Sequence, residues 1–116
     1  MKNIFTPIAL MIFVNCFISA QTWEKITFSS TINSIGVNSD GDIFVGSDSA
    51  DIYRSTNGAQ SFQKINVLSG ADYSYTINDI TFTSSGAVVV YIFQPSPANN
   101  YRGIYISTDN GSTWER

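Results

Sequence analysis

A strand, glycine turn and second strand occur twice in this chain, and this repeat limits its possible folds more than any other feature. The first copy spans residues 35–45 (IGVNSDGDIFV) and the second spans residues 80–90 (ITFTSSGAVVV). An Ile-Tyr-x-Ser segment follows each copy, at residues 52–55 and 104–107. Elements that recur in one order predict a modular fold, in which equivalent units pack side by side.

Short apolar or alternating segments, bounded by Gly, Asn, Asp and Ser, fill the chain after Ala20. No window shows the 3.6-residue period of an amphipathic helix, so we predict an all-β domain. The predicted strands are Trp23–Phe28, Ile32–Val37, Asp42–Gly46, Ile52–Ser55, Phe62–Val67, Ile77–Thr83, Ala87–Phe93, Gly103–Ser107 and Thr113–Arg116.

The second unit ends in a segment that predicts a self-supporting turn, Ser-Thr-Asp-Asn-Gly-Ser-Thr-Trp at residues 107–114. An aspartate in a tight turn accepts hydrogen bonds from nearby backbone N–H groups, a role we assign to Asp109. Gly111 supplies a positive φ angle, and the hydroxyls of Ser107 and Thr113 close the loop. Trp114 is expected to fold under the hairpin and bury a large area.

These residues match the Asp-box pattern, Ser-x-Asp-x-Gly-x-Thr-Trp, at every defined position. The segment thus resembles the BNR repeat of sialidases, xyloglucanases, sortilin-type receptors and photosystem assembly factors. The resemblance implies a β-propeller of four-stranded blades. Aromatic-Glu/Gln-Lys/Arg segments begin at Trp23, Phe62 and Trp114. The first interval is close to the roughly 40–45 residues of one blade, and the insertion QPSPANN at residues 94–100 lengthens the second.

The first unit ends in a degenerate Asp-box at residues 55–62, in which Ser55 matches the first serine of the pattern. Asn57 replaces the aspartate, Ala59 the glycine, Ser61 the threonine and Phe62 the tryptophan. Asparagine also caps turns of this kind. We expect Gly58 to supply the positive φ angle one residue early.

We therefore expect an incomplete propeller, with one blade at about residues 32–67, a second at about 76–116 and an extra outer strand before them. The third aromatic segment, Trp114-Glu115-Arg116, stops before its apolar member. This suggests that the remaining blades come from the same parent chain or from copies of this one.

Residues 1–20 have the features of a secretory signal peptide. Lys2 gives a basic start, an apolar stretch follows, and Ser19 and Ala20 form a small-residue end. The alternative is a membrane anchor, but the apolar stretch is shorter than the roughly 18 residues a span needs. We predict cleavage after Ala20, a mature chain of residues 21–116 in the cell envelope or secreted, and no membrane association after cleavage.

Composition narrows the function further. The net charge of −3 stays negative once Lys2 is removed, which gives no electrostatic reason to bind nucleic acid. The chain has no histidine, and its one cysteine, Cys16, lies in the predicted signal peptide. Imidazole and thiolate are major metal ligands and catalytic groups, so we expect no cofactor and no metal.

The sialidase resemblance would imply an arginine cluster that grips a substrate carboxylate. The mature chain offers Arg54, Arg102 and Arg116, in or near repeated strands, and lacks the Arg-Ile-Pro segment of that family. Asp72 and Asp79 are candidates for the paired carboxylates of a glycosidase, but solvated loop acids are the favoured interpretation. We therefore predict no catalytic residue.

Two binding signals remain open. Residues 38–42, Asn-Ser-Asp-Gly-Asp, resemble part of a calcium loop but lack its bidentate glutamate. A hairpin turn is favoured there, because Asp-Gly is a strong hairpin signal. Tyr73, Tyr75 and Tyr101 lie in or near loops and suit either sugar stacking or packing between blades.

From these features we expect a secreted, non-catalytic binding and scaffolding module that takes a protein or a glycan. The alternative is the N-terminal part of a longer Asp-box glycoside hydrolase, sialidase-like or xyloglucanase-like, with its catalytic residues elsewhere. The fold alone does not separate these, because propellers host both.

Overall fold

The structure, a computed structural model, describes residues 22–68, 75–94 and 101–116. These residues form two antiparallel sheets and no helix, which confirms the all-β prediction. The first sheet has the order β1-β2-β3-β4 and the second the order β5-β6-β7. The strands are β1 (Ile32–Val37), β2 (Ile43–Ser47), β3 (Asp51–Ser55), β4 (Gln63–Asn66), β5 (Thr76–Phe82), β6 (Val88–Phe93) and β7 (Gly103–Ser107).

The two glycine turns of the repeat form equivalent hairpins. In the first, the side-chain oxygen of Asn38 accepts the backbone N–H of Asp42 at 2.8 Å, and Gly41 has a φ of 84°. In the second, the hydroxyl of Thr83 accepts the backbone N–H of Ala87 at 3.0 Å. Residues 38–42 therefore form a hairpin turn, in which the Asn38 side chain caps the backbone.

Strand register shows that the repeat is structural as well as sequential. Ile35 pairs with Val45 in the first sheet, and Ile80 pairs with Val90 at the same positions of the second. Each sheet also has one irregularity near the start of its first strand, between residues 32 and 34 and between residues 77 and 79. The two units thus share both their pairing and their local bulge.

Each sheet has two faces, which we name by these equivalent positions. In the first sheet the front face carries Ile35, Val45 and Tyr53. In the second sheet it carries their counterparts, Ile80, Val90 and Tyr105. The back face of the first sheet carries Gly36, Phe44, Gly46 and Arg54. Strand pairing places each of these sets on one side, because directly opposed residues in an antiparallel pair project to the same face.

The back face of the first sheet packs against the front face of the second. Two glycines permit the close approach of β5. A Cβ atom on Gly46 would lie 2.5 Å from a methyl carbon of Ile77, and one on Gly36 would lie 2.8 Å from the ring of Phe82. Phe44 and Phe82 pack with ring centroids 5.5 Å apart. The buried apolar residues of the shared core are Phe44, Ala50, Ile52, Val67, Tyr75, Ile77, Ile80, Val88, Val90, Ile92 and Tyr105.

The predicted strand Trp23–Phe28 is wrong, because residues 22–28 have no strand pairing. A strand persists only where a neighbour completes its ladder, and this segment contacts the first sheet through side chains instead. The Phe28 ring lies 4.9 Å from Tyr53 and 5.2 Å from Phe62, centroid to centroid. The segment therefore lies over part of the front face of the first sheet.

The last predicted strand is reduced to one bridge, between Ile106 and Glu115. The second sheet accordingly has three strands where four were predicted. The other seven predicted strands are present with shifts of one or two residues at some ends. The predicted signal peptide, Asp72, Tyr73 and residues 95–100 lie outside the described residues.

Candidate functional site

The turn at residues 107–114, which we call the second turn, is held by its own side chains. The Ser107 hydroxyl donates to Asp109 Oδ1 and accepts the backbone N–H of Gly111, both at 2.8 Å. Asp109 Oδ1 also accepts the backbone N–H of Thr113 at 2.8 Å, and Asp109 Oδ2 accepts its hydroxyl at 2.6 Å. The Trp114 indole donates to the Gly111 carbonyl at 3.1 Å. One network thus joins Ser107, Asp109, Gly111, Thr113 and Trp114.

This network changes the acidity of Asp109. Hydrogen bonds from the side chain and backbone of Thr113, and then from Ser107, lower its pKa from 3.8 to about 2. Donors that favour the ionised form lower a carboxyl pKa in this way. Asp109 is therefore an ionised turn cap at neutral pH, whereas a general acid needs a pKa near the working pH.

The degenerate turn at residues 55–62, the first turn, has the same wiring. The Ser55 hydroxyl donates to the Asn57 side-chain oxygen at 2.9 Å and accepts the backbone N–H of Ala59 at 3.0 Å. The Asn57 oxygen accepts the backbone N–H of Ser61 at 3.0 Å, and its amide group donates to the Ser61 hydroxyl at 2.8 Å. Asparagine thus reproduces the contacts of the aspartate without its charge.

Gly58 has the expected positive φ angle, but it does not replace the positive φ angle at the following position. Both turns have two consecutive residues with positive φ: Gly58 (66°) and Ala59 (68°) in the first turn, and Asn110 (58°) and Gly111 (88°) in the second. Gly58 is therefore the counterpart of Asn110, and Ala59 itself adopts the left-handed conformation at the Gly111 position. Capping by Ser55 and Asn57 offsets the steric cost of a Cβ there.

The second turn also joins the two sheets. The Asn110 amide donates to Asp42 Oδ2 at 2.7 Å, and the Asn38 amide donates to the Asn110 side-chain oxygen at 3.3 Å. The Arg54 guanidinium donates to the Asn110 carbonyl. We call Asn110 and these three partners the polar lock. Beside it, a Cβ on Gly111 would lie 3.3 Å from both Phe44 and Ile65, so the turn packs directly on the first sheet.

Sequence reasoning did not identify the polar lock. Asn110 occupies a variable position of the motif to which this turn was compared, and the sequence favours a hairpin turn for Asn38 and Asp42 without linking them to Asn110. The sequence contained one signal for it. Gly58 and Asn110 occupy equivalent positions of the two turns, and only Asn110 has a polar side chain. Only the fold brings residues so distant in sequence together.

The first turn borders an open groove of about 490 Å³ on the front face of the first sheet. Residues 24–29 form one wall, Ala59–Phe62 form the other, and Tyr53 lies between them. At its base the aromatic ring of Phe28 contacts the rings of both Tyr53 and Phe62. This combination of aromatic surface and polar loop edges is the candidate binding site.

The candidate substrate-gripping arginines do not form a cluster. Arg54 belongs to the polar lock, Arg102 lies over the Phe93 ring at 5.4 Å, and Arg116 donates to the Arg102 carbonyl at 2.9 Å. Asp79 is exposed. Tyr75 is fully buried and packs edge-on against Tyr101 at 5.4 Å, which assigns Tyr75 to the core.

Within the described residues, no group of three or more acidic, histidine or cysteine side chains is arranged to hold a metal ion. The same residues include no helix with the length and apolar character to cross a membrane. Comparisons with known protein families, characterised proteins and solved structures find no match to this chain.

Proposed function

We propose that this chain forms two successive blades of an Asp-box β-propeller. The observation that carries the proposal is the direction of stacking. A β-sandwich brings the inner faces of two sheets together around one core. Here unlike faces meet, since the back of the first sheet packs on the front of the second. Such a head-to-tail contact repeats and closes into a ring when the rotation per unit allows it.

We further propose that the protein is an extracytoplasmic, non-catalytic module that binds a protein or a glycan. The groove beside the first turn supports this role, because its aromatic base and polar edges suit a sugar ring or a peptide side chain. The low pKa of Asp109 supports a structural use of the Asp-box over acid–base catalysis.

A glycan array probed with the labelled mature protein tests the binding proposal. We expect retention of a glycan class that Phe62→Ala weakens by at least about tenfold, which corresponds to about 1.4 kcal/mol. Asp109→Asn serves as the matched control, because it alters the other turn and leaves the groove intact. Retention that is indifferent to Phe62→Ala would remove the groove as the site.

The non-catalytic assignment is tested with sialosides and β-glucans in solution. We expect no turnover by the purified protein. Hydrolysis that disappears when one of the chain's own acids is replaced would contradict the assignment and favour the glycoside hydrolase alternative.

Export is tested by N-terminal sequencing of protein recovered outside the cytoplasm. The first residue is expected to be Gln21 or one of its immediate neighbours, as the signal pattern at residues 1–20 predicts. An intact Met1 on a soluble cytoplasmic product would contradict this localisation.

A further inference from the structure

Two apolar faces of the stack are partly exposed, and each carries an exposed isoleucine whose counterpart is buried at the junction between the sheets. On the front of the first sheet, Ile35 is 68% exposed, whereas its counterpart Ile80 is 6% exposed. On the back of the second sheet, Ile104 is 57% exposed, whereas its counterpart Ile52 is fully buried. These two faces are therefore the unmatched halves of a contact that the chain already makes once.

The exposed faces also match in polarity. At the internal junction, Asn110 meets Asn38, Asp42 and Arg54. On the exposed front face, Gly58 takes the place of Asn110 and has no side chain to satisfy. On the back face of the second sheet, weakly polar or apolar residues replace the three partners. Thr83 stands in place of Asn38, Ala87 in place of Asp42 and Ile106 in place of Arg54. The lock is thus absent from both sides together, so their contact would leave no member of this set of four residues buried and unpaired.

Side-chain sizes change in the same compensating way near the hairpin. Gly36 meets the large Phe82 ring at the internal junction. Across the exposed faces, the equivalent pair is Thr81 on the back of the second sheet and Val37 on the front of the first. Thr81 is larger than its counterpart Gly36, and Val37 is smaller than its counterpart Phe82. At the far end, Tyr91 stands where the first sheet has Gly46, so the sheets would lie farther apart there.

We propose that the back face of the second sheet binds the front face of the first sheet in another copy of this chain. The inference rests on the head-to-tail stacking of the proposed function and names its partner, a second copy. The contact is heterologous, so it yields closed rings or open chains of copies in place of a symmetric dimer. Residues 22–29 lie beside Tyr53 and Phe62 and leave Ile35 and Val37 exposed.

Directed disulfide formation tests this contact. Val37→Cys and Thr81→Cys are made as separate variants of the mature protein, in a Cys16→Ser background wherever Cys16 is retained. Val37 lies on the front of the first sheet and Thr81 on the back of the second, so the two positions lie on opposite outer faces of one chain. Mixing the variants under oxidation should give a disulfide-linked dimer containing one copy of each.

Each variant oxidised alone is the matched control and should give at least about fivefold less dimer than the mixture. Equal dimer yield from either variant alone would indicate like faces meeting and would overturn the proposal. The absence of a mixed dimer would overturn it too, which is the expected result if other sheets of a longer parent chain occupy these faces.

Light scattering supplies a second readout. Ile35→Lys should reduce the association of the mature protein at least about tenfold, because it places a charge in the contact. Ser84→Lys, in an exposed hairpin turn, should leave association unchanged. A cooperatively melting monomer at all concentrations would overturn self-docking while leaving glycan binding intact. Conversely, an associating protein that hydrolyses glycans would refute the proposed function and not the contact.

Discussion

The substitution Ser107→Ala tests whether the hydrogen-bond network of the second turn stabilises this fold. The Ser107 hydroxyl is fully buried and makes two bonds, one from the backbone N–H of Gly111 and one to Asp109. Gly111 is also buried, so its N–H would lose its acceptor without gaining water. A buried donor left unsatisfied costs about 1–3 kcal/mol. The exposed Asp109 carboxylate recovers its lost bond from solvent, so we expect a total of about 2 kcal/mol.

Urea unfolding followed by tryptophan fluorescence measures this change, since Trp114 lies against the same turn. Thr108→Ala is the control, because Thr108 is exposed within the same turn and should change stability by less than about 0.5 kcal/mol. Ser55→Ala provides a graded comparison. Ala59 is only half-buried, so its freed N–H should cost about 1 kcal/mol.

Free energies of unfolding for Ser107→Ala and Thr108→Ala that agree within about 0.5 kcal/mol, at an unchanged denaturant slope, would contradict this prediction. That result would mean that the turn keeps its conformation without the serine network. A reversed order, with Ser55→Ala the more damaging, would show that burial of the freed N–H does not set the cost.

Three further predictions concern the same turn and junction. The ionised Asp109 carboxylate should stabilise the fold above about pH 4, and this contribution should be lost as pH falls to about 2, because its folded pKa is lowered; Asp109→Asn should remove that pH-dependent component of urea unfolding. Gly46→Ala should cost about 1–3 kcal/mol in the same assay, because the added Cβ meets Ile77 at 2.5 Å; unchanged stability would refute the close packing. Asn110→Gly and Asp42→Ala should show a coupling of about 0.5–3 kcal/mol in a double-mutant cycle, and additive effects would refute their bond.

The sequence alone determined the features that depend on neighbouring residues. Alternating apolar segments and glycine turns predicted seven of the strands, because each hairpin forms between adjacent segments. The first and second turns could be located in the sequence for the same reason. Their hydrogen bonds join residues two and four positions apart, as Ser107 with Asp109 and Asp109 with Thr113 illustrate.

Features that depend on a partner element were mispredicted or left open. Trp23–Phe28 has the alternation of a strand but forms none, because no strand among the described residues pairs with it. For Tyr75 the sequence left sugar stacking and packing between blades open, and its full burial favours packing. Neither outcome can be deduced from a segment and its immediate neighbours.

Only the tertiary structure decided which faces of the two sheets meet. Repetition predicted equivalent units but gave no direction of stacking, since either face of a sheet is partly apolar. The direction of stacking follows from two features. The glycines on the back face of the first sheet let β5 approach, and the Asn110 amide donates a hydrogen bond to Asp42 across the junction. These contacts join residues far apart along the chain, so their energies appear only once the chain has folded and the loops between them have closed.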